Sequence, residues 1–157
     1  MRKIKKWYKN KNIIMIESIL LVDDENLFHL VFEDACSILD ITLNLTSVSS
    51  CEEAEEMFKK WFNTGGKKPA CAFIDLNIIG SSFDGIELVR KINFEYGNAL
   101  VIGIISSSDE EEEQAKAVKA GAQFWIIKSD EIEPRLVEFR KDFDGYKNRT
   151  IPFKIYK

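Results

Sequence analysis

The chain has 157 residues and 45% apolar content, enough to build one core but short for two domains of ordinary size. Charged residues make up 31% of it and the net charge is −4, which excludes wholesale disorder and a nucleic-acid surface spread over the whole chain. No apolar run is long enough to cross a bilayer. The three widely spaced cysteines, Cys36, Cys51 and Cys71, exclude a disulfide framework or a CxxC site and fit a reducing cytosol.

Residues 1–14 form a basic extension. Six of the first eleven residues are Lys or Arg, no acid interrupts them, and Trp7 and Tyr8 sit among them. The reading is a solvated extension, with contact to an anionic surface as the alternative. From Met15 onward the chain is acidic. Its first apolar run, Ser18–Val22, ends on Asp23, Asp24 and Glu25, and a helical pattern follows over Glu25–Leu39. A second strand is predicted over Thr42–Val48. Ser50 with Glu53 then makes a capping box for a helix over Cys51–Asn63. After the turn segment Thr64–Pro69 comes a third strand, Cys71–Ile74, which ends on Asp75. A helix over Gly85–Tyr96 leads to a fourth strand, Leu100–Ile105, which ends on Ser106. Ser108 with Glu111 predicts a second capping box, opening a helix over Asp109–Ala120 that stops at Gly121. The fifth strand, Phe124–Ile127, ends on Lys128, and a last helix is predicted over Glu131–Asp144.

Most of these strands are apolar at consecutive positions, as in a parallel sheet covered on both faces. The alternation predicts an α/β doubly wound sheet of five parallel strands. One domain is expected over residues 15–145. Residues 146–157, basic and aromatic (Tyr146, Lys147, Arg149, Phe153, Lys154, Tyr156, Lys157), are expected to fray or to serve in docking or self-association, which leaves a homodimer open.

In such a sheet the carboxyl ends of the strands line one crevice, so Asp23, Asp24, Asp75, Ser106 and Lys128 converge there. Taken singly, each has a plainer reading: Asp23 and Asp24 as helix-start acids, Ser106 as a turn residue, Lys128 as a surface lysine. Together, three carboxylates, a hydroxyl and an ammonium have the chemistry of a divalent cation and a phosphoryl group. Mg²⁺ takes oxygen ligands, here Asp23, Asp24, Asp75 and the backbone carbonyl of Asn77. A carboxylate such as Asp75 also serves as a nucleophile toward phosphorus when cations neutralise the transferred group. His29 is given no role.

The segments ILLVDDE, FIDLN, DGIEL, IIS and AGAQFWIIKS, in this order, resemble the receiver domain of bacterial two-component response regulators over about Ile16–Asp144. The resemblance implies a flavodoxin-like fold with strand order 2-1-3-4-5. It implies Asp23 and Asp24 as the Mg²⁺-binding pair, Asp75 as phosphoacceptor, and Ser106 and Lys128 as phosphoryl contacts. Ser106 and Trp125 are then the switch pair, with Trp125 filling space that Ser106 vacates; plain core packing is the other reading of Trp125. It also implies a histidine kinase or histidine phosphotransfer protein as donor, a downstream target protein, and no nucleic-acid partner. Too little chain follows the last helix for an output domain, so a stand-alone receiver is expected. Two departures stand out. The stretch from Asp75 to Asp84-Gly85 is two residues longer than usual, which predicts a mobile loop, and Ser129 follows Lys128 where proline is common. The competing readings are a haloacid-dehalogenase-like, Mg²⁺-dependent phosphatase, disfavoured by the absence of a DxD pair at Asp75 and of a cap domain, and a phosphorylation-independent scaffold.

Overall fold

The computed structural model describes residues 15–66, 68–97 and 99–157, so the basic extension expected over residues 1–14 lies outside the described residues. Within them the order is β1 (Ile19–Val22), α1 (Asn26–Leu39), β2 (Leu45–Val48), α2 (Cys51–Thr64), β3 (Cys71–Asp75), α3 (Gly85–Tyr96), β4 (Val101–Ser106), α4 (Glu111–Ala120), β5 (Phe124–Ile127), α5 (Glu133–Lys147) and β6 (Lys154–Tyr156). All strand pairs are parallel, and the sheet order is β2-β1-β3-β4-β5-β6. The expected order of five strands is thus present with a sixth strand added at the β5 edge.

Side chains alternate across the strands and divide the core in two. Leu21, Phe73, Ile105, Phe124 and Ile126 face α1 and α5, where Phe32 and Phe139 continue an aromatic cluster. Leu20, Val22, Ala72, Ile74, Ile104 and Trp125 face the other way, onto the buried side chains of α2, α3 and α4. The same alternation puts Asp23, after Val22, and Asp75 on the face of Leu21 and Phe73. Gly103 fits this packing, because a Cβ there would lie 2.6 Å from the Phe124 ring.

Of the two capping boxes, one forms in part and one does not. Ser50 Oγ accepts from Glu53 N–H at 3.1 Å, while the Glu53 carboxylate reaches back to Ser49 N–H rather than to that of Ser50. Ser108 caps nothing: α4 starts at Glu111 behind an uncapped Glu110, and Ser108 Oγ accepts from Glu110 N–H inside the loop. The serine's hydroxyl serves the loop's own turn, which moves the helix start two residues past the expected Asp109.

The expected fraying after residue 145 is also overturned. Residue 145 lies inside α5, and the chain beyond it returns beside β5, pairing Phe124, Trp125 and Ile126 with Lys154, Ile155 and Tyr156. What holds this edge strand is a buried polar chain. The Tyr156 hydroxyl donates to Asp142 Oδ2 at 2.7 Å and accepts from the Tyr146 hydroxyl at 2.7 Å, while Lys154 Nζ reaches the same Asp142 oxygen at 3.0 Å. Burying two tyrosines is favourable only because both hydroxyls are satisfied in this way.

Candidate functional site

The order 2-1-3 reverses direction between β1 and β3, and at such a point the carboxyl ends of two strands open a crevice. The last residue of β3 is Asp75, and Asp23 and Asp24 follow β1 directly. Each of the three acids brings a carboxylate oxygen within 4.8 Å of the others. Asp23 and Asp75 are buried, and Asp24 is half-buried.

Lys128 enters from the end of β5. Its backbone N–H donates to the Ser106 carbonyl at 2.8 Å, and its ammonium lies 2.7 Å from Asp23 Oδ2, 3.2 Å from Glu25 Oε1 and 3.5 Å from Asp75 Oδ2. The Lys128 side chain is only 7% exposed and passes over the Phe28 ring at 4.4 Å. This lysine is therefore an internal counter-ion, the opposite of the surface reading open to it in isolation. Burial alone would lower its pKa, but the Asp23 and Asp75 carboxylates outweigh this and hold it above the ordinary value. Asp75 is pushed up to about 7, first by burial and then by the negative charge of Asp23, against the pull of Lys128. Three acids facing one ammonium leave the pocket short of positive charge.

Asp23 and Asp24 are positioned by backbone bonds. Asp23 Oδ1 accepts from Glu25 N–H at 2.8 Å, its carbonyl is bonded by the His29 ring, and Asp24 Oδ2 accepts from Ile79 N–H at 3.2 Å. Sequence reasoning gave His29 no role; this bond makes it a brace for the acid pair. Asp75 is held from behind. The Gly85 N–H donates to the Leu76 carbonyl at 2.9 Å, and a Cβ on Gly85 would lie 1.9 Å from the Asp75 carbonyl oxygen, so only glycine permits this approach. Asp84 beside it caps α3 by accepting from Glu87 N–H at 2.9 Å.

The loop from Leu76 to Asp84, expected to be mobile, is anchored instead. Leu76 and Ile78 are buried, Ser81 Oγ accepts from Cys51 N–H at 3.0 Å, and Ser82 N–H donates to Glu52 Oε1 at 2.7 Å. The two extra residues let the loop reach the start of α2, with Gly80 taking the positive φ of 86° that the turn needs. Asn77 sits exposed at the mouth of the crevice.

Ser106, at the end of β4, is buried, and its Oγ accepts from Ser108 N–H at 3.1 Å. Trp125 is also fully buried, with its indole N–H donating to the Ser108 carbonyl at 3.0 Å. The five residues read from the strand ends thus come together, with Trp125 linked to Ser106 through Ser108. Trp125 has no outer position here from which to move inward.

Residues 19–137 match the response regulator receiver domain family. The chain belongs to that family. This receiver is a phosphoacceptor signalling module of two-component phosphorelays. Its fold is similar to that of the phosphorylated cyanobacterial phytochrome response regulator RcpA, with a TM-score of 0.66 and 18% identity over 87% of this chain and 96% of that one. It is also similar to the receiver domain of NtrX from Brucella abortus, with a TM-score of 0.64 and 22% identity over 85% of this chain and all of that one. The Mn²⁺-bound form of response regulator Rcp1 matches with a TM-score of 0.63 and 17% identity over 86% of this chain and 96% of that one. No curated protein matches the sequence. Among the described residues no helix is long and apolar enough to cross a membrane.

Proposed function

We propose that Asp75 is the phosphoacceptor of this receiver. One observation carries the assignment: the Asp75 carboxylate closes β3 in a crevice where it meets both the acid pair Asp23 and Asp24 and the buried ammonium of Lys128. An Asp75 oxygen attacks the phosphorus of the donor, an acyl-phosphate bond forms, and the donor's bond to phosphorus breaks with its electron pair leaving on the donor. Lys128 offsets the charge that collects on the phosphoryl oxygens. Ser106 uses its oxygen as the acceptor for Ser108 N–H, which leaves its hydroxyl proton for a phosphoryl oxygen.

The donor set fits Mg²⁺. Three hard carboxylate oxygens lie within 4.8 Å of one another in a pocket short of positive charge, and Asp23, Asp24, Asp75 and the Asn77 carbonyl would hold the ion. When bound, Mg²⁺ neutralises charge around the transferred group. The Mn²⁺-bound form of Rcp1 supports this reading. The physiological donor is a histidine kinase or histidine phosphotransfer protein in the cytoplasm, and the output is a change in binding to a target protein. Enzymatic activity is limited to slow self-dephosphorylation.

Switching runs through the chain Ser106, Ser108, Trp125. A phosphoryl group that draws in the Ser106 hydroxyl shifts the loop whose Ser108 carbonyl holds the indole, so the surface of α4, β5 and α5 responds. Neither competing reading gains support: the Asp75 segment continues Leu76-Asn77 with no second aspartate, and the family is that of receivers.

The assignment is tested by titrating Mg²⁺ into wild type and Asp24→Asn while following the amide resonances of Asp24 and Ile79. Asp24→Asn is expected to weaken binding at least tenfold, the effect of replacing one charged ligand in a small site (about 1.4 kcal/mol). Equal affinities would remove Asp24 from the site.

A further inference from the structure

Glu25 stands at the N-cap of α1 with extended backbone (φ −87°, ψ 106°), yet its side chain makes no capping bond. An acidic side chain at this position ordinarily accepts from the first N–H groups of the helix, a stabilising arrangement. Here the backbone is fixed by other means: Glu25 N–H donates to Asp23 Oδ1, and its carbonyl accepts from His29 N–H at 3.1 Å. The carboxylate turns instead to Lys128 Nζ, 3.2 Å away.

The consequence lies in the order of distances around one ammonium. Asp23 is nearest at 2.7 Å, Glu25 follows, and Asp75 is last at 3.5 Å, the outer limit of a hydrogen bond. The Glu25 side chain is 63% exposed, so it meets the ammonium from the solvent side, while the buried Asp23 and Asp75 meet it from within. We infer that Glu25 is a positioning residue that competes with Asp75 and the incoming phosphoryl group for Lys128 and so slows phosphorylation. The inference rests on Asp75 being the phosphoacceptor. An ion pair with one exposed partner is weak, so the effect is a modulation of about two- to fivefold in rate.

The experiment measures initial rates of Asp75 labelling by acetyl phosphate with Mg²⁺ in wild type, Glu25→Gln and Glu25→Asp, and again with each change in a Lys128→Met background. Thermal melts confirm that the variants fold. Glu25→Gln and Glu25→Asp are both expected to label about two- to fivefold faster, since the shorter aspartate keeps the charge but loses the reach. Both gains should vanish without Lys128. Acceleration by Glu25→Gln alone would assign the effect to charge and overturn the positioning role, as would unchanged rates or a gain that survives Lys128→Met. If wild type takes no label at Asp75, the phosphoacceptor reading itself fails and the inference falls with it. Labelling at equal rates sinks the inference alone.

Discussion

Asp75→Asn is expected to abolish labelling by acetyl phosphate and, at the same time, to stabilise the metal-free protein near neutral pH. The first effect follows because an amide oxygen cannot replace the carboxylate nucleophile. The second follows from burial. In the fold the Asp75 carboxyl titrates near 7, raised from 3.8 mainly by burial and then by Asp23. Between those two values the unfolded chain releases the proton while the folded protein keeps it. Stability contributed by this group is therefore complete at low pH, falls as pH rises from about 4 to 7, and levels off above that, a loss on the order of a few kcal/mol. Asparagine carries no such proton, so the variant should lack this part of the slope. Urea unfolding of both proteins from pH 4 to 8 without divalent cation measures it, and parallel curves would show that Asp75 is not held in an unfavourable charged state.

Gly85→Ala should be the most damaging single methyl addition near the site. Its Cβ would stand 1.9 Å from the Asp75 carbonyl oxygen, a backbone atom at the end of a central strand that cannot rotate away. Either α3 or the end of β3 must shift, at a cost of about 3 kcal/mol or more. Because Asp75 is carried by the backbone that moves, labelling should fall together with stability. Gly80→Ala is the matched control. That position has φ 86° but open space around it, so the cost is confined to backbone strain of about 1 kcal/mol, with labelling close to wild type. Equal stability of the two variants would show that the close contact behind Asp75 does not hold the strand end in place.

The crevice was legible because each of its residues follows an apolar run, and parallel strands in this order force those positions together. What escaped sequence reasoning lacks such a run. β6 is three residues, with Lys154 at its start and Pro152 just before, and its basic neighbours suggested a solvated tail. The available sign was the alternation Phe153, Lys154, Ile155, Tyr156, whose apolar Phe153 and Ile155 pack on the Trp125 side of the sheet. The partner that makes Tyr156 buriable, Asp142, lies a helix turn inside α5 and has no local signature. Loop anchoring was illegible for a similar reason. Ser81 and Ser82 look like ordinary turn residues, and only the fold brings them to the start of α2, some thirty residues earlier in the chain. The resting position of Trp125 was not legible either: the indole N–H needs an acceptor when buried, and the Ser108 carbonyl, in the loop that also bonds Ser106 Oγ, supplies one.

The claim on which the rest depends is that one carboxylate, Asp75, receives the phosphoryl group. Incubation with acetyl phosphate and Mg²⁺, followed by borohydride reduction, converts an aspartyl phosphate to homoserine and marks its position permanently for peptide mapping. The expected result is homoserine at position 75 alone, dependent on Mg²⁺ and absent from Asp75→Asn. Homoserine at 23 or 24 instead, or no conversion in the wild-type protein, would contradict the assignment.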